Sequence, residues 1–166
     1  MTREGALLVM AAVAVIALAL LAWAWVRRTR RDARYTAPVG ELPDDAVETA
    51  VFPGLYVATT RHDEPLERLA IKGLGFRSRV DVTVTSAGVA LDLQGQPRIA
   101  LTRDRLVDAA QATVAIDRVV ERDGLTRVSW RIDDDTIVDT YLRPQEASAK
   151  ALADAIRPLT STGSDA

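Results

Sequence analysis

Two patterns of apolar and polar positions divide the chain. From Gly5 to Val26 it runs for 22 residues without a charge. At 1.5 Å per residue a helix of that length spans roughly 33 Å, enough for the hydrocarbon core of a bilayer. From residue 51 onward the texture changes to alternation with a period of two. Arg79 to Thr85 sends Val80, Val82 and Val84 to one side and Asp81, Thr83 and Thr85 to the other, the pattern of a half-buried antiparallel strand. Val89, Leu91 and Leu93 repeat it, and so do Val128, Trp130 and Ile132. Trp130 is therefore expected in the core.

The strands are separated by turn chemistry. Ser86-Ala-Gly88, Gln94-Gly-Gln-Pro97, Arg122-Asp-Gly124 and the acidic run Asp133 to Asp135 each punctuate the pattern. Val51–Thr60 and Arg98–Leu101 are further strands. Arg61 to Lys72 is expected as a charged connection turning at Glu64-Pro65. Thr102 to Ala112 fits a helix or a loop. In the strand Thr136–Arg143, Asp139 is expected on the wet face and Val138 and Leu142 in the core. After Pro144, Gln145 to Arg157 is alanine-rich and reads as one helix with a stripe of Ala149, Leu152, Ala153 and Ile156. Pro158 ends it, and 158–166 is expected to be a disordered tail. About seven short strands and one helix close a core when the sheet bends strongly and the helix covers the open end. The predicted organisation is a short extracytoplasmic terminus over 1–4, a transmembrane helix over 5–26, a basic segment and linker over 27–50, and a β domain over 51–157.

Charge decides how the apolar run is read. Arg27, Arg28, Arg30, Arg31 and Arg34 follow it at once, against a single acid, Asp32. A cleaved secretion signal has a shorter apolar core and a basic start. Cleavage after Ala22-Trp-Ala24 would leave this arginine cluster at the new terminus, where it opposes translocation. The pattern predicts an uncleaved anchor. Trp23 and Trp25 suit the membrane–water interface, and the arginines suit the cytoplasmic side. The expected location is the inner membrane, single-pass, with the N-terminus outside and the C-terminal domain in the cytoplasm. Residues 35–166 carry 15 basic and 21 acidic groups, the opposite of a nucleic-acid-binding domain.

Candidate chemistry is sparse. There is no cysteine, which removes disulfides, thiolates and cysteine-based zinc sites. His62 is the only histidine, beside Asp63, and reads as a surface residue. Asp133 to Asp135 lacks the spacing of a calcium loop. No phosphate loop or dinucleotide fingerprint occurs. Catalytic residues, metals and cofactors are accordingly expected to be none.

The anchor, the arginine cluster and Gly54-Leu-Tyr-Val-Ala-Thr-Thr60 resemble actinobacterial single-pass membrane proteins with a pleckstrin-homology-like (PH-like) domain. Gly73-Leu-Gly-Phe-Arg77, Gly88-Val-Ala-Leu-Asp92, Thr113-Val-Ala-Ile-Asp-Arg118 and Asp139-Thr-Tyr-Leu-Arg143 carry the same resemblance. It implies a mainly β fold: a bent seven-stranded barrel capped by the C-terminal helix. It implies no catalytic residues. Relatives by fold grip anionic headgroups with basic residues of the first hairpin; the matching region here holds Arg61, Arg68, Lys72, Arg77 and Arg79, mixed with Asp63, Glu64 and Glu67. The expected function is a protein-interaction or scaffolding module held at the membrane. The alternative is binding of anionic lipid headgroups at the inner leaflet. The expected partners are the bilayer and another membrane or cytoplasmic protein, with no nucleic acid.

Overall fold

A computed structural model of the chain describes residues 3–112, 114–115, 118–119 and 124–160. It divides into two compact units, Met1–Arg34 and Tyr35–Ala166.

The first unit is one helix, α1 (Arg3–Asp32). Its apolar side chains are exposed along its length, Leu8 by 72% and Leu21 by 68%. The stretch Leu7–Asp32 is long and apolar enough to cross a membrane. The helix does not stop at Val26 but carries on through the arginines. Arginine is a good helix former, and Arg31 pairs with Asp32 at 2.9 Å in the last turn.

The second unit is built on an antiparallel sheet. Its strands are β1 (Glu48–Arg61), β2 (Glu64–Arg68), β3 (Ser78–Thr85), β4 (Gly88–Leu93), β5 (Ile99–Thr102), β6 (Leu106–Ala112), β9 (Leu125–Arg131) and β10 (Ile137–Pro144). Between β6 and β9, the residues Val114–Ala115 (β7) and Arg118–Val119 (β8) form a small separate hairpin. The spatial order is β5-β4-β3-β1-β10-β9-β6, with β2 added to β1. Seven strands thus make one path, as expected. The path stays open, because β5 and β6 are its two ends and do not pair. Helix α2 (Ala149–Ile156) packs against β6, β9 and β10, and its Leu152 and Ile156 join the main core.

The alternating residues behave as their period requires. Val80, Val82, Val84, Val89, Leu91, Leu93, Val128 and Trp130 are all buried in one core. The stripe Ala149, Leu152, Ala153, Ile156 is the buried face of α2. Ser148 caps that helix by accepting the Ala151 N–H at 3.1 Å, so α2 starts four residues later than its composition suggested.

Several expectations are corrected. Glu64-Pro65 does not turn the chain; it opens β2, and the turn is at His62-Asp63, where Asp63 takes φ +59°. Thr102 to Ala112 is neither helix nor loop over most of its length, because Leu106–Ala112 pairs with β9. Asp139 is not on a wet face: it is 0% exposed. A strand buried on both faces cannot be told from an amphipathic one when its outer face is polar. Residues 158–160, read as the start of a disordered tail, are ordered through a 3₁₀ turn over Arg157–Leu159, and the rest of that tail, 161–166, lies outside the described residues. The turn read at Arg122-Asp-Gly124 falls outside the described residues except for Gly124.

Most of the segment read as a linker over 27–50 belongs to the second unit, which starts at Tyr35. Tyr35 and Ala37 are 5% and 4% exposed and lie in the core. Thr36 bridges to Lys72, and Val39 to Ile99. The Gly40 N–H donates to the Arg98 carbonyl at 3.1 Å, and the Ala100 N–H to the Pro38 carbonyl at 2.9 Å. Residues 35–41 are a strap along the open edge of β5, where they satisfy groups that an edge strand leaves exposed.

Candidate functional site

Of the five basic residues of the domain singled out above, Lys72 and Arg77 lie between β2 and β3, Arg79 is the second residue of β3, and Arg61 and Arg68 end β1 and β2. Arg61 and Arg68, however, are structural. Arg61 pairs with Glu67 at 3.4 Å, and Arg68 is half-buried on β2. Lys72, Arg77 and Arg79 are exposed, and among the described residues none of them is paired with a carboxylate. Between them stands Phe76, exposed by 88%. Its ring is open to water, and Arg77 follows it directly along the chain. Phe76 escaped sequence reasoning because Gly73-Leu-Gly-Phe-Arg77 has no period to set its face. Arg79 also lines a shallow cleft with Pro53, Asp81, Asp92 and Gln145.

A buried hydrogen-bonded chain fixes this loop to the core. The Trp130 indole N–H donates to Thr140 Oγ1 at 2.8 Å. Thr140 and Thr59 hydroxyls are 2.9 Å apart, Tyr56 and Thr59 hydroxyls 3.1 Å. The Tyr56 hydroxyl donates to the Leu74 carbonyl at 2.7 Å. Indole can only donate and a carbonyl can only accept, so both ends are set and the protons point one way, from Trp130 to Leu74. Leu74 itself is fully buried. The loop that displays Phe76 is therefore nailed down two residues earlier.

Burial is the main reason the Tyr56 phenol is pushed up to about 12 from its usual 10.0. The folded state then keeps a proton that the unfolded chain releases, so stability is whole below about pH 10 and falls as pH rises towards 12. Urea titrations should show a loss of about 2–3 kcal/mol from this group across that window, so Tyr56→Phe should lose correspondingly less than wild type, the raised Tyr141 phenol supplying what remains. Equal slopes in both proteins would contradict this.

A second constellation lies on the other face of β10. Asp139 Oδ1 accepts from the Ser129 hydroxyl at 2.6 Å and meets His62 Nδ1 at 2.9 Å. Its Oδ2 accepts the Asp63 backbone N–H at 3.1 Å. Thus the β1–β2 turn is clipped onto a buried carboxylate. Arg127 reaches Asp108 at 2.9 Å and Asp63 at 3.7 Å. Burial works against the Arg127 charge, but the Asp108 hydrogen bond and the fields of Asp139 and Asp108 raise its pKa. Burial first, and then the Asp139 charge, push the Tyr141 phenol up. Serine, aspartate and histidine meet here, yet the serine and the imidazole both bind the carboxylate, which lies between them. An activated serine needs its hydroxyl on the imidazole. The sequence placed His62 on the surface; its side chain is 36% exposed and turned inward on one side.

In the first unit, Arg27, Arg28, Arg30 and Arg31 lie on α1 and Arg34 just after it. Trp23 and Trp25 are exposed by 61% and 70%. The Arg27 guanidinium sits 5.4 Å from the Trp23 ring centroid, a cation–π contact.

Residues 36–157, well over half of the chain, match a family model described as "Bacterial PH domain-like". No curated protein matches the chain.

Proposed function

The chain belongs to the bacterial PH domain-like family, and from that premise we propose that it is a binding module held at a membrane by α1. In this reading the basic collar keeps the domain in the cytoplasm, and the module binds an acidic surface of a partner protein. The observation that carries it is the Lys72–Arg79 segment: three exposed cations without carboxylate partners among the described residues, one exposed Phe, and a core that holds the Leu74 carbonyl. Preorganised aromatic and arginine side chains are what interface hot spots are made of.

A second reading, an anionic bilayer as the bound surface, is favoured by one specific observation. Thr36 bridges to Lys72, so the first residues of the second unit run beside this segment. Lipid attraction adds about 1 kcal/mol per basic residue near such a surface.

A photo-crosslinker at position 76 of the full chain in native membranes separates the two. A discrete protein adduct, lost in the triple variant Lys72→Glu, Arg77→Glu, Arg79→Glu, is the expected outcome. Adducts with lipid alone select the second reading. Adducts unaffected by the triple variant sink both. The orientation has its own check: a periplasmic phosphatase fused after Ala166 should stay inactive and a cytoplasmic reporter should work.

A further inference from the structure

We propose that His62, Asp63 and Asp139 form a binding site for a first-row divalent cation, zinc foremost. Each offers one ligand atom, and these atoms all lie within 4.8 Å of one another. One imidazole with two carboxylates is a donor set that zinc accepts, at about 2.0–2.2 Å from each ligand. Tetrahedral ligands at that radius stand roughly 3.3 Å apart. His62 Nδ1 and Asp139 Oδ1 are already 2.9 Å apart, so a small pivot of a half-exposed ring makes room. The cation takes the place of the proton that the imidazole and the carboxylate now share.

The surroundings suit a metal in two further ways. The Asp139 carboxylate is held by groups that need not move: the Ser129 hydroxyl on Oδ1 and the Asp63 N–H on Oδ2. Such outer partners orient a ligand and are part of how metal sites hold. Charge is the second. Asp63, Asp108 and Asp139 face one guanidinium, Arg127, which leaves two negative charges when His62 is neutral. Arg61 and Glu67 beside them cancel. A divalent cation neutralises the remainder, and the buried Asp139 makes that neutralisation worth more than it is at an open surface. Arg127 approaches Asp63 through Oδ1, while Oδ2 of the same carboxylate stands 3.5 Å from His62 Nε2, the ring nitrogen turned away from Asp139; to share an ion held by Nδ1 and Asp139, the exposed Asp63 side chain swings to the Nδ1 side of the ring. Entry is from solvent, through the exposed Asp63 and the partly exposed imidazole.

A metal here bridges the β1–β2 turn to β10. It would stiffen the turn that leads into the Lys72–Arg79 segment without touching that segment.

The test uses the full chain, free of any histidine tag, in nanodiscs of neutral lipid. Because His62 is the only histidine, its ring resonances report on the site without ambiguity. Stoichiometric zinc is expected to shift them, with one ion bound per chain by calorimetry, and cobalt is expected to give tetrahedral visible bands. His62→Gln and Asp63→Asn, at a partly exposed and an exposed position of the turn, should each weaken zinc binding at least tenfold. Asp134→Asn, in the unrelated acidic bend, should leave it unchanged. Ring signals unmoved by zinc, or binding that survives His62→Gln, overturns the proposal. So does binding lost in Asp134→Asn while the ring of His62 stays unshifted.

Discussion

Asp139→Ala is expected to cost the domain about 3–5 kcal/mol, a large part of the 5–15 kcal/mol that ordinarily holds a protein folded. The side chain is fully buried and takes three donors from three places: Ser129 on β9, His62 in the β1–β2 turn and the Asp63 backbone. Removing it leaves a buried hydroxyl and a buried-side N–H without an acceptor, each costly in its own right. It also removes a negative charge that Arg127 was folded against. The effect should appear as a fall in melting temperature of roughly 10 °C or more, with loss of amide protection first at Asp63. Asp139→Asn keeps the shape but turns one acceptor into a donor, so it should fall between wild type and alanine. An alanine variant that melts within about 2 °C of wild type would show that the clip contributes little.

The second large effect concerns where the domain begins. A chain starting at residue 35 is expected to fold as a soluble, cooperative unit, and one starting at residue 51 is not. The shorter chain lacks Tyr35 and Ala37, both buried in the core, and burial of one aromatic side chain alone is worth about 2–3 kcal/mol. It also loses the backbone bonds to Arg98 and Ala100 and the ion pair between Glu41 and Arg98 at 2.8 Å. What remains exposed is the edge of β5 and the start of the open end of the sheet. Size-exclusion chromatography and urea unfolding of the two chains check this. Equal stability and monomeric behaviour of both would mean that the strap merely rests on the sheet.

The sequence made the sheet readable where one face is wet and the other dry. Val80, Val82 and Val84 need no structure to be placed, nor does the stripe of α2. It failed where burial has no period. β10 is covered on both faces, so Asp139 alternated like a surface residue while sitting in the interior. β2 hid in a run of charges because Glu64 and Leu66 face out, and only its pairing to β1 defines it. The strap escaped notice because Pro38, Gly40 and Pro43 argue against regular structure, and it is irregular: isolated bridges and two core side chains hold it. The candidate surface was half legible. Composition pointed to Arg61, Arg68, Lys72, Arg77 and Arg79 alike, but only tertiary contacts separate the two that serve the fold from the three that face out. Phe76 and the His62–Asp63–Asp139 cluster needed the chain to bring residues 77 positions apart into contact.

The strap has one consequence for the life of the protein. A protease cutting between Tyr35 and Val39 would not free an intact domain. It would strip the cover from β5 and offer a bare strand to the next copy. In the proposed reading, with α1 as a membrane anchor, shedding from the membrane and self-association would then be one event, and the anchored chain would be the form that keeps its own sheet apart from its neighbours.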